Sequence, residues 1–61
     1  MEIDAIKKVL DSGLIIYSAD GAFLQRSGSN YYFKSSGGSE EYVGSLESCV
    51  VKLATDIREN S

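Results

Sequence analysis

LIIYSADGAFLQRSGSNYYFKS, residues 14–35, is the stretch whose reading decides the fold. Three short apolar and aromatic runs are separated by Asp20-Gly21 and Gly28-Ser29, dipeptides that close tight turns, so the stretch reads as an antiparallel β-meander. Leu14-Ile15-Ile16-Tyr17 is too short for a helix and rich in β-branched and aromatic residues, which makes it the first strand. The turn that follows can close in two registers. A two-residue Asp-Gly turn pairs Ile16 with Gln25, whereas a type I turn with Gly21 in a bulge pairs Ile16 with Leu24 and Tyr17 with Phe23. The second is preferred because like meets like across the strands.

Gly28-Ser29 suits a type II′ hairpin with glycine in the first position. It sets Ser27 opposite Asn30, Arg26 opposite Tyr31, Gln25 opposite Tyr32, Leu24 opposite Phe33 and Phe23 opposite Lys34. Side chains alternate along a strand, so the two registers together sort the residues by face. One face carries Leu14, Ile16, Leu24, Phe33 and Tyr31. The other carries Ile15, Tyr17, Phe23 and Tyr32 with Gln25 and Lys34, and neither face is polar.

Outward from the meander, Ile3, Ile6, Val9 and Leu10 fall at helical spacing between Glu2 and Asp11. Asp4 and Lys8 stand four residues apart in the favourable order for an ion pair, and Gly13 is a natural stop. On the other side, Ser35-Ser36-Gly37-Gly38-Ser39 reads as a flexible connector. Glu40-Glu41-Tyr42-Val43 can form a brief extended segment or a short fourth edge strand. Ser45 is a good N-cap for a helix from Leu46 to about Arg58, with Leu46, Cys49, Val50, Leu53 and Ile57 as its apolar stripe. Asn60 and Ser61 are expected to fray. The expected architecture is α+β: a small α-β-β-β-α domain with a three-stranded antiparallel meander packed by two helices.

Sixty-one residues bound one domain. A chain of that length buries only about 60% of the surface its unfolded form exposes, which leaves little stability to spare. With one cysteine and no histidine, an internal disulfide and the usual zinc ligands are excluded, and a lone thiol suits a reducing compartment. Nine acids against six bases leave a net charge of −3, the wrong sign for a long phosphate backbone. Met1-Glu2-Ile3-Asp4 lacks the basic start of a secretory signal, and no apolar run reaches the ~20 residues that cross a bilayer. A cytoplasmic protein without membrane contact is the expectation.

The chemistry-bearing residues are sparse. Cys49 lies in the apolar stripe without a base to activate it, so it reads as core. Glu40 and Glu41 are adjacent and point to opposite faces of an extended segment, which prevents them from acting as a facing carboxylate pair. The Ser36-Gly37-Gly38-Ser39 loop lacks the lysine and spacing of a phosphate loop. No catalytic, cofactor or metal site is expected.

What stands out is the second sheet face. If both helices pack on the face of Leu24 and Phe33, then Ile15, Tyr17, Phe23 and Tyr32, with Lys34, form an apolar and aromatic patch that monomers rarely leave uncovered. If one helix covers each face, the same residues are ordinary core. An uncovered patch suits a protein partner or a homodimer, because tyrosine and phenylalanine give large contact area with few rotamers to freeze. It could also stack single-stranded nucleic-acid bases, a reading that needs cations and has only Arg26 and Lys34 on the strands. The size, acidity and helix-strand-strand-strand-helix order resemble those of small accessory and inhibitor proteins encoded by phages and mobile elements. That resemblance implies a non-enzymatic binding or inhibitory role and transfers no residue.

Overall fold

The computed structural model describes residues 3–60. Helix α1 spans Ile3–Asp11, strands β1 to β4 span Ile16–Tyr17, Phe23–Ser27, Asn30–Lys34 and Glu41–Gly44, and helix α2 spans Leu46–Glu59. The strands form one antiparallel sheet in chain order β1-β2-β3-β4. The Glu2 start of the first helix and the fraying of Ser61 lie outside the described residues. Glu41–Gly44 is the fourth strand, paired through Tyr31 with Gly44, Tyr32 with Val43, Phe33 with Tyr42 and Lys34 with Glu41.

Both hairpin registers follow the turn chemistry. Ile16 opposes Leu24 and Tyr17 opposes Phe23 across a turn in which Ser18 N–H donates to Ala22 O at 2.7 Å and Gly21 N–H to Ser18 O at 3.2 Å. Gly28 at φ 60 opens the second turn, and Ser27 faces Asn30.

The first strand is shorter than its apolar run. Gly13 adopts φ 92, Gly13 N–H donates to Leu10 O at 3.1 Å and Leu14 N–H to Val9 O at 3.4 Å. Those two bonds make a Schellman cap, which satisfies the last carbonyls of α1 with the amides just beyond it. Leu14 is therefore part of the helix cap instead of the core face of β1, and it stands 60% exposed.

Both helices pack on the same face of the sheet. The core joins Ile6 and Leu10 of α1, Leu46, Cys49 and Leu53 of α2, and Ala22, Leu24 and Phe33 from the sheet region. Ile16, Tyr31, Tyr42 and Val50 pack around it, half-buried. Ser45 caps α2 as its sequence implies, its Oγ accepting from Ser48 N–H at 3.3 Å. Ile57, the last residue of the expected stripe, is 40% exposed, at the rim of an aliphatic cavity that it lines with Ile6, Ile16 and Leu53.

Three local expectations are corrected. The connector after β3 is ordered: a one-turn 3₁₀ segment at Ser36–Gly38 is pinned by the buried Ser35, whose N–H donates to Glu40 O and whose Oγ accepts from Glu40 N–H, both at 2.9 Å. Among the described residues the ion pair along α1 is Lys7 with Asp11 at 2.9 Å and not Asp4 with Lys8, and Asp11 also accepts from Tyr31 of the sheet. Asn60 is tied down, its side-chain amide donating to Ser36 Oγ at 3.1 Å and to Asp56 O at 2.8 Å.

Candidate functional site: the uncovered sheet face

With both helices on one side, none of the described elements packs on the opposite face of the sheet. The registers arrange that face in cross-strand rows. Tyr17, Phe23, Lys34 and Glu41 form one row, and Gln25, Tyr32 and Val43 the next. Ile15, one residue before β1, extends the alternation and is 36% exposed. Every residue that sequence reasoning assigned to the patch, Ile15, Tyr17, Phe23, Tyr32 and Lys34, thus lies on one surface. Val43 at 54% exposure and Glu41 join them. Both were missed because β4 was an optional strand, although the alternation Glu41, Tyr42, Val43 would have placed them once Tyr42 was read as core-facing.

The aromatic rings form a ladder. Tyr17 and Phe23 have ring centroids 5.6 Å apart with planes inclined at 46°, and Phe23 and Tyr32 lie 5.7 Å apart at 47°. These tilted contacts let each ring present its edge to a neighbour's face, a favourable aromatic arrangement worth about 0.5–1.5 kcal/mol per pair beyond burial. The ladder packs each ring against its neighbour while Tyr17 remains 64% exposed. Rings already in contact lose less side-chain freedom on binding than isolated ones.

Lys34 and Glu41 form an ion pair of 3.5 Å at one side of the patch. Desolvation raises the Tyr32 phenol above its ordinary pKa, and a hydrogen bond to Glu41 adds to the shift. The face is thus electrically balanced.

Arg26 is placed elsewhere. Its side chain reaches Asp11 at 3.7 Å and donates to Gly28 O at 3.0 Å, on the side of the sheet that carries α1. Of the two strand cations considered for nucleic acid, only Lys34 stands on the aromatic face.

The remaining chemistry-bearing groups have structural surroundings. Cys49 is fully buried, its Sγ donates to Tyr31 O at 3.4 Å, and burial raises its thiol above the ordinary pKa, away from the thiolate. Glu40 pairs with Lys52 at 2.9 Å, and the same ammonium lies 5.1 Å from the Tyr42 ring centroid. Ser36 Oγ donates to one Asp56 carboxylate oxygen at 3.3 Å. No cluster of three or more metal-binding side chains occurs among the described residues, and no helix there is long and apolar enough to cross a membrane.

The chain was compared with protein-family models, curated proteins and solved structures, and it matches none of them.

Proposed function

We propose that this chain is a non-enzymatic protein-binding or inhibitory module that works by laying Ile15, Tyr17, Phe23, Tyr32 and Lys34, with Val43, on a protein surface, a second copy of the chain included. One observation carries the reading: α1 and α2 share one face of the sheet and leave the aromatic ladder bare on the other. The likeness in size and element order to small phage and mobile-element inhibitors supports the inhibitory role. A buried free thiol at Cys49 suits a reducing, cytoplasmic setting.

The reading is tested by affinity capture from the host with wild-type chain and with a Tyr17→Asp, Phe23→Asp variant that retains its circular dichroism. A stoichiometric protein held by the wild type in high salt and lost by the variant is the expected result. Equal capture by both baits would refute the face as the interface.

A second reading, single-stranded nucleic-acid binding, is favoured by the exposed ring ladder, which resembles a stacking platform. It is weakened by the pairing of Lys34 with Glu41 and of Arg26 with Asp11. Anisotropy of a labelled oligothymidylate separates the two readings, because phosphate binding falls steeply with added salt and apolar protein contact does not.

A further inference from the structure

We propose that the uncovered face binds a second copy of this chain, face to face, about a two-fold axis that runs along the strands between β2 and β3. The proposal rests on the reading of this face as a protein interface and names its occupant.

The two halves of the face are unlike and fit each other. The β1–β2 half offers Ile15, Tyr17 and Phe23 and no charge, whereas the β3–β4 half carries the Lys34–Glu41 pair, with Tyr32 and Val43 in the next row. A two-fold axis along the strands lays β1 on the partner's β4 and β2 on the partner's β3, without shifting the rows. The shared row of Tyr17, Phe23, Lys34 and Glu41 then meets its own reverse.

Phe23 receives the partner's Lys34, whose aliphatic stem covers the ring while its ammonium faces the π-cloud. Tyr17 brings its hydroxyl, a hydrogen-bond donor, to the partner's Glu41 carboxylate. In the next row Tyr32 covers the partner's Gln25, and Ile15 meets the partner's Val43. Every contact occurs twice, as an isologous interface requires. An axis at right angles to the strands lays each strand on its own copy instead, so neither Lys34 nor Glu41 gains a complement from the partner.

Charge and area point the same way. The chain carries −3 overall, but the face itself holds one cation and one anion, so it offers no net field to draw a basic partner and no repulsion against its own copy. The molecule measures 27 × 21 × 17 Å. A standard interface uses about 800 Å² per partner, which a molecule this small approaches only when nearly the whole face is covered. That selects an axis through the middle of the sheet over pairing at the edge of the two-residue β1.

Sedimentation equilibrium and a cysteine pair test the proposal on the full chain. Wild type is expected to be dimeric at about 100 μM, and Tyr17→Asp and Val43→Asp, both at exposed positions, to weaken the dimer at least about tenfold with circular dichroism unchanged. An Ile15→Cys, Val43→Cys double variant is expected to give a covalent dimer under mild oxidation, while each single variant does not. A wild type that stays monomeric overturns the homodimer, and the face as a site for a foreign protein is then decided separately by the affinity capture. A dimer that resists both aspartate variants overturns the homodimer through this face, and the face as a site for a foreign protein is again decided by the affinity capture. A dimer that both variants break but that the cysteine pair fails to lock overturns the axis.

Discussion

The Tyr31 hydroxyl donates to Asp11 Oδ1 at 2.8 Å, joining the last residue of α1 to the third strand. Lys7 holds the other Asp11 oxygen at 2.9 Å and the Arg26 guanidinium stands 3.7 Å away, so hydrogen bonds from α1 and β3 and a second positive charge from β2 converge on one carboxylate. Hydrogen bonds from Lys7 and then Tyr31 hold the Asp11 carboxyl below its ordinary pKa. A carboxyl with a lowered folded-state pKa contributes stability above its unfolded value of about 4, and the contribution is lost as pH falls toward the folded value. Chemical denaturation from about pH 6 to about pH 3 should show wild-type stability declining on the acid side. Asp11→Asn should be less stable than wild type at neutral pH and should flatten that decline. Tyr31→Phe should remove part of the same effect.

Truncation of the core should separate fully buried from half-buried positions. Leu53 is 4% exposed and Leu24 is wholly buried, so changing either to alanine is expected to cost about 2–4 kcal/mol, enough to unfold much of so small a domain. Ile16 is only half-buried at the sheet edge, and Ile16→Ala should cost about half as much. Urea denaturation of the three variants would rank them, and an Ile16 effect as large as that of Leu24 would contradict the packing.

The cap that ends α1 can be tested at Gly13. A Cβ there would meet nothing within 4 Å, so the cost of Gly13→Ala is conformational: φ is 92, a region alanine enters at about 1–2 kcal/mol. Ser45→Ala should cost about 1 kcal/mol at the start of α2 by removing the acceptor for Ser48 N–H. Thermal melts would read both.

Between the helices and the sheet lies an aliphatic cavity of about 200 Å³ lined by Ile6, Ile16, Leu24, Val50, Leu53, Ala54 and Ile57. Filling it from its smallest wall, with Ala54→Leu, is expected to raise stability by about 0.5–1 kcal/mol, measured as a higher urea midpoint at unchanged m-value.

The meander was legible because turn chemistry and side-chain matching agreed: Gly21 in a bulge and Gly28 in the first turn position specify the same registers that bring Leu24 against Ile16 and Phe33. The helix boundaries were legible from Gly13 and Ser45 for similar local reasons. Leu14 was misread because an apolar run does not reveal which of its amides a preceding helix will claim. The connector at 36–39 was misread because its order comes from Ser35, whose bonds to Glu40 skip the glycines that suggested flexibility. Two apolar sheet faces make the side on which amphipathic helices settle undecidable from periodicity alone. The patch residues could be named from sequence, but whether they lay bare could not. The convergence on Asp11 was invisible for another reason, since Tyr31 and Asp11 lie 20 residues apart in the chain.

Strict chain order in the sheet has a consequence for how the molecule assembles. Each strand pairs with the one before it, so every ladder closes over a short loop, and such low contact order lowers the entropic barrier to folding. The distant encounter left to complete is the docking of α1 and α2 on the sheet and on each other, across the entire meander. The sheet can therefore form ahead of that encounter, with its ring ladder already in register while the helical side is still closing. An apolar ring ladder that forms before the core is finished lies open to other chains, and to aggregation, while the helical side closes.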